Sequence, residues 1–336
     1  MKNDNDNDND NKYSKNYGAN EEKMNICNEK NNEFYSENTY GDNYSTAGSE
    51  SLVNKDNISI EDLNQNVKNV KEYIDDILKN LMEEEKIKIN NINSNYFNFQ
   101  SEINPYMRSI LIDWIIDISR QFKFKEETLY ITIYLIDAYL SKKNIKKRNF
   151  QLLGISSLLI ASKLNEIYLR RISDYSDITY NTYDVQEIKK MEEDILKALD
   201  FDLLVPTQLS FYEIISQKVG ISDDLNKFKF GEFLMQSFLI NNNSLNYTQS
   251  TIANATCYII AKFCKMDNYR VIFDNNYFNV KRNIFNNSYS EEYIVKECAQ
   301  KICEAINEII NSNFNSTVNK YSDNIFFNNI KNNLCS

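Results

Sequence analysis

Residues 107–117 read Met-Arg-Ser-Ile-Leu-Ile-Asp-Trp-Ile-Ile-Asp. No other stretch restricts the fold as much. Met107, Ile110, Leu111 and Trp114 fall at i, i+3, i+4 and i+7, one apolar stripe of a helix. Ile112, Ile115, Ile116 and Ile118 fill most of the remaining circumference. A helix that is apolar nearly all round is either fully buried or has a core face and a second face kept for a partner. The single Trp of the chain lies on the stripe, and Arg108 and Asp113 interrupt it.

The rest of the chain is mostly helical by the same criterion. There are only two prolines in 336 residues, so long helices run uninterrupted. Pro105 falls just inside the start of the 107–117 helix, where a missing N–H costs nothing. Apolar spacing near 3.6 predicts helices over 105–122, 126–141, 148–167 and 183–200, with a short one at 171–177. A further amphipathic, charge-rich helix is expected over 58–88. No segment alternates with the period of a half-buried strand. The segment Phe150–Lys163 mixes Leu and Ile with Gly154, Ser156, Ser157, Ala161 and Ser162. Small residues all round let neighbours pack closely on every side, the signature of a central helix.

After Pro206 the pattern repeats more weakly, with helices expected at 207–218, 223–241, 248–265 and 290–310. Ile260-Ala261-Lys262 echoes Ile160-Ala161-Ser162-Lys163. A duplicated five-helix unit fits both the length and the position of Pro206. The stretch 266–289, rich in Asn and aromatics, is left unassigned. Residues 1–57 are dominated by Asn, Asp, Glu, Lys, Ser and Tyr and cannot bury enough apolar surface to order themselves, so a disordered tail is expected there.

Absences narrow the chemistry. With no His in the chain, Ser-His-Asp and Cys-His catalysis and histidine metal sites are ruled out. Six glycines form no phosphate-cradling loop, and six cysteines form no CxxC pair, so neither a cofactor nor a metal is expected. The Glu126-Glu127 and Glu192-Glu193 pairs read as solvated helix faces. A net charge of −10 argues against nucleic acid as a partner. No secretory leader is expected at the acidic, Asn-rich start, nor does any apolar run reach the roughly 20 residues that span a bilayer. The starting expectation is a protein that is not an enzyme, in a reducing compartment.

Four motifs in order resemble the cyclin family, and within it the A/B-type mitotic cyclins. MRxxLxDW stands at Met107–Trp114, and ETLxxxxxxxDxxLS at Glu127–Ser141. QLxGxxxxxxASKxxEIY stands at Gln151–Tyr168, and MExxxLKxLxFDLxxPT at Met191–Thr207. The resemblance covers roughly 60–310 and is strongest over 105–206. It implies an all-α chain of two tandem five-helix cyclin-box bundles, at 105–206 and 207–312. A helix and linker at 58–104 and the Asn-rich tail would precede them, and a tail at 313–336 would follow.

The same resemblance implies a regulatory subunit that binds and activates a cyclin-dependent protein kinase in cell-cycle control, in nucleus and cytoplasm. Arg108 and Asp137 would form a structural ion pair. Lys163 and Glu192, with Leu152 and Glu166, would bind the kinase beside its regulatory C-helix. Met107, Ile110, Leu111 and Trp114 would form an exposed shallow groove for substrates carrying Arg-x-Leu motifs. Asp117 and Gln151 would flank it, Asp117 supplying negative charge for the motif's Arg. The chain departs from the family at Leu164-Asn165-Glu166, where an aromatic and two acids are usual, and at Leu169-Arg170-Arg171, where a Pro pair is usual. No Arg precedes Arg108, so the usual RxxL destruction signal is missing from that segment. A second class, a transcriptional cyclin or a core of the transcription factor IIB type, shares the duplicated fold. The latter grips DNA with a basic body and carries a zinc ribbon, against the acidic balance and missing CxxC here; tight, salt-sensitive DNA binding would favour it.

Overall fold

The computed structural model describes residues 60–273, 290–312 and 314–334, and among them there is no strand. The tail expected at 1–57 lies outside the described residues. The helices of the first unit are α1 (Ile60–Lys88), α2 (Pro105–Gln121), α3 (Glu126–Lys142), α4 (Phe150–Asn165), α5 (Ile172–Asp177) and α6 (Val185–Ala198). Local chemistry sets their ends. The Asn104 side chain accepts from the Met107 N–H at 2.9 Å, so α2 begins on a capped turn with Pro105 at its first position. Asp184 and Glu187 close a capping box on α6.

α4 is the hub. Every residue from Leu152 to Ser162 is buried, and α3 and α6 pack along it. Its small residues permit this: a Cβ on Gly154 would lie 2.8 Å from Leu111 Cδ1, so α2 approaches too closely for a side chain there. α6, by contrast, fully buries only the stripe Ile188, Met191 and Ile195, with the rest half-buried or exposed.

The second unit repeats the plan with α7 (Gln208–Val219), α8 (Leu225–Ile240), α9 (Gln249–Phe263) and α10 (Glu291–Ile310). Among the described residues a 3-10 turn, Asp267–Ile272, follows α9 as α5 follows α4 in the first unit. α9 takes the place of α4, buried between α7 and α10. At Gly231 of α8 the Tyr212 hydroxyl sits 2.0 Å from where a Cβ would be, so only glycine fits against that buried ring.

The end of the chain differs from expectation. Residues after 312 do not trail off as a tail: α11 (Ser316–Lys320) and α12 (Ile325–Leu334) fold back on the bundle. Tyr321 and Phe327 are buried against Phe233, with ring centroids 5.8 and 4.8 Å away. Asn-rich composition conceals these few aromatic anchors, and burial of two rings is enough to hold a short segment down.

Side chains strap the two units together. Glu85 of α1 accepts from the Ser250 N–H at 2.9 Å, placing a carboxylate on the start of α9. The Ser109 hydroxyl of α2 donates to the Ile240 carbonyl at 2.7 Å. Lys320 of α11 reaches Glu126 of α3 at 2.7 Å and Gln236 of α8 at 3.2 Å, so the final segment bridges both units.

Candidate functional site

Lys163 ends the apolar run of α4, and its ammonium needs either water or a counter-charge. It has both. Its Nζ lies 2.6 Å from Glu192 Oε1 of α6, and the Lys side chain remains 45% exposed. Ser156 of α4 lies beside Ile188 of α6, its hydroxyl 3.4 Å from the Ile188 carbonyl. The segments that follow the two helices diverge: Glu166 after α4 meets Thr128 at the start of α3, whereas Asp200 after α6 pairs with Lys142 at the end of α3.

Those segments carry large apolar side chains in water. Leu164 lies in the last turn of α4, Ile167, Tyr168 and Leu169 follow it, and Phe201 and Leu204 follow α6, all exposed. Large apolar side chains exposed along the chain next to a polar pair, as Leu164 and Ile167 are next to Lys163, are the informative deviation from ordinary burial. Asp200 and Phe201 both take left-handed φ values, 53° and 58°, a conformation that costs a non-glycine residue roughly 1 kcal/mol or more. Sequence periodicity misses these positions, because all but Leu164 lie outside any helix; Leu, Ile and Tyr in a stretch with no period are the available signal.

The other two residues expected at this surface are placed elsewhere. Leu152 lies three turns, roughly 16 Å, before Lys163 on α4 and is buried, so it is not part of the same surface. Glu166 accepts from the Lys125 N–H at 2.8 Å and the Thr128 hydroxyl at 2.5 Å. Its carboxylate caps α3, a favourable place for a negative charge. Of the two arginines that depart from the family pattern, Arg170 folds back over the Phe122 ring at 4.5 Å, while Arg171 stays exposed.

Arg108 and Asp137 meet as expected. Arg108 Nε and Nη2 donate to the two carboxylate oxygens at 2.8 and 2.7 Å, a bidentate pair whose side chains are 1% and 4% exposed. Arg108 Nη1 donates to the Leu239 carbonyl of α8 at 2.9 Å, and the Tyr96 hydroxyl donates to Asp137 at 2.9 Å. Despite its desolvation, the facing carboxylate holds Arg108 firmly protonated. The pair thus ties α2 and α3 to the second unit and to the segment before α2.

The proposed groove on α2 is shallower than the sequence suggests. Met107, Ile110, Asp117 and Gln151 are half-buried, but Leu111 is fully buried and Trp114 is only 6% exposed. The reason is Gly154, which leaves the space that Leu111 fills. Leu111 and Trp114 are floor, and Met107 and Ile110 are surface. The Trp114 indole N–H is buried and has no hydrogen-bond partner among the described residues. Asp117 is engaged along its own helix, by Arg120 at 2.7 Å and Gln121 at 2.6 Å. Ile112, Ile115 and Ile116 are core.

Asp113, on the adjoining face of α2, accepts from the Ser316 N–H of α11 at 3.1 Å. Burial pushes its carboxyl up to about 6, only partly opposed by the Ser316 hydrogen bond. The folded chain therefore holds an extra proton between about pH 4 and 6, and stability falls as pH rises through that window. Asp113→Asn is expected to remove this contribution. Urea midpoints of parent and variant, followed across the window, should converge on acidification; parallel curves would contradict the assignment.

The family model "Cyclin, N-terminal domain" matches residues 76–204, and "Cyclin, C-terminal domain" matches 206–332. A G2/mitotic-specific cyclin-B of Hydra vulgaris is 38% identical over 163 residues, 48% of this chain and 45% of that protein. A putative cyclin-A3-1 of Arabidopsis thaliana is 37% identical over 160 residues, 47% of this chain and 45% of that one. The chain spans about half the length of the curated relatives it matches. A viral cyclin from herpesvirus saimiri superposes with a TM-score of 0.55 at 19% identity, over 68% of this chain and 97% of that one, which is a likeness of fold.

Proposed function

Since the chain belongs to the cyclin family, with mitotic B- and A-type relatives, we propose that it is a regulatory subunit that binds and activates a cyclin-dependent protein kinase in cell-cycle control. The observation that carries this reading is the half-exposed Lys163–Glu192 pair near the end of α4, where Leu164, Ile167, Tyr168 and Leu169 are exposed. Polar groups ringed by apolar side chains suit a surface that grips backbone groups of a partner helix and seals water out. A kinase is active only when its strand Lys pairs with its C-helix Glu and its activation segment is ordered. A bundle that binds only that arrangement shifts the kinase toward it, by as much as its affinities for the two states differ. The buried Arg108–Asp137 pair keeps the bundle rigid, so little ordering is needed on binding.

The half-buried Met107 and Ile110, over the Leu111 and Trp114 floor, would dock substrates bearing Arg-x-Leu motifs, with Asp117 and Gln151 on the flank. The unpartnered Trp114 N–H supports this reading as a donor to a docked peptide carbonyl. Asp117 would release Arg120 or Gln121 to take the motif's arginine. Action in both nucleus and cytoplasm belongs to the same proposal.

The test is capture on the tagged full chain from a native lysate, followed by assay of phosphate transfer with and without the chain. Recovery of a kinase whose activity depends on the chain is the expected result. Capture of no kinase, or of one equally active alone, would overturn the proposal.

A further inference from the structure

A groove of about 990 Å³ opens between the α3–α4 connection and α6. Its floor is apolar: Ile145, Leu152, Tyr183 and Met191 line it and are nearly buried. Its rim is charged, and the charges do not balance. The three acids on it are all engaged within the chain. Asp194 binds Lys143 at 2.5 Å and the Tyr139 hydroxyl at 2.6 Å. Glu193 binds Lys197 at 2.5 Å, and Glu187 accepts from the Asp184 N–H at 2.9 Å in the capping box. Three cations are left over: Lys146, Arg148 and Lys190 line the same groove, are exposed, and form no ion pair among the described residues. This basic rim lies on a chain of net charge −10.

We propose that this groove docks an acidic extended segment of a partner protein, in which carboxylates meet Lys146, Arg148 and Lys190 while an intervening apolar side chain lies on the Leu152–Met191 floor. Charge complementarity selects the sign of the partner. The apolar floor selects a peptide over a nucleic acid, whose phosphate backbone offers nothing to bury there, and the acidic whole repels a polyanion. Unpaired cations beside an apolar trough favour an acidic segment twice. The trough supplies binding energy through burial, and the low-dielectric wall strengthens the charge contacts above it.

The site is separate from the kinase-contact surface. Glu192 is two positions from Lys190 and so on the other side of α6, and Leu152 lies at the far end of α4 from Lys163. The groove reading therefore stands or falls independently of the kinase reading.

Fluorescence anisotropy of a short labelled peptide, alternating glutamates with leucines and free of Arg-x-Leu, tests it on the full chain. Saturable binding that weakens steeply with salt is expected. Combined Lys146→Glu, Arg148→Glu and Lys190→Glu substitutions should weaken it by about tenfold or more, since three exposed charge contacts reverse sign together. Lys79→Glu, an exposed site on α1, should leave it unchanged. All are surface positions, and equal urea midpoints would verify that the variants fold. Equal binding of the glutamine version of the peptide, or unaltered binding by the triple variant, would overturn the proposal. So would equal binding of a single-stranded oligonucleotide of matched charge, or binding confined to a phosphorylated peptide.

Discussion

Lys163→Glu is expected to weaken kinase binding by at least about 2 kcal/mol, roughly thirtyfold, as truncation of a central interface contact does. The effect on the free chain should be small. The Lys163–Glu192 pair is partly in water, and an exposed pair contributes at most about 1 kcal/mol. A large loss of kinase co-purification with an almost unchanged urea midpoint separates a contact role from a structural one. The exchanged variant, Lys163→Glu with Glu192→Lys, sharpens the comparison. It restores an ion pair of the same length and charge. If the two residues matter only to each other, exchange recovers binding; if each meets a fixed group on the kinase backbone, exchange does not. Full recovery by the exchanged chain would remove the basis of the proposed interface.

The second large effect concerns stability. Arg108→Ala is expected to cost about 3–5 kcal/mol, because it strands the Asp137 carboxylate in the core. The loss reaches beyond one pair, since Arg108 also holds the Leu239 carbonyl of the second unit and Asp137 also holds Tyr96. Arg108→Lys should rescue little, as a single ammonium cannot reproduce the two-pronged contact with the carboxylate. Removing both charges at once, Arg108→Met with Asp137→Leu, should cost less than Arg108→Ala alone, since no buried charge is then left unpaired. Denaturant melts of the parent, Arg108→Met, Asp137→Leu and the double variant measure the coupling. Additive losses in the double variant would show that the two side chains do not act as a unit.

Much of this architecture is legible from spacing alone. The helices over 105–122, 126–141, 148–167 and 183–200 stand within about two residues of their structural limits, α2, α3, α4 and α6. Apolar period, caps and the scarcity of proline are local signals, and they act where they are written. The small-residue run of α4 likewise announces a helix packed on all sides. The second repeat is weaker in period, and among the described residues a 3-10 turn, Asp267–Ile272, follows α9.

The site was legible unevenly. Motif spacing brings out Lys163 and Glu192, and Arg108 and Asp137, and the structure brings both pairs together. It does not announce that Glu166 is engaged as a helix cap, or that Leu152 faces a different groove from Lys163. Nor does it reveal the exposed collar from Leu164 to Leu169, since exposure belongs to neighbours and not to a residue type.

Local order in this protein, where helices begin, which stripe of each is apolar and which helix lies at the centre, was written in the chain, because capping and periodicity depend on residues only a few positions apart. Tertiary structure alone decided that Leu111 lies sealed against Gly154, that α11 and α12 fold back on the bundle, and that Lys146, Arg148 and Lys190 line one groove with no ion pair among the described residues. Those outcomes follow from which distant surfaces meet, and burial and counter-charge are properties of the meeting, not of either segment taken by itself.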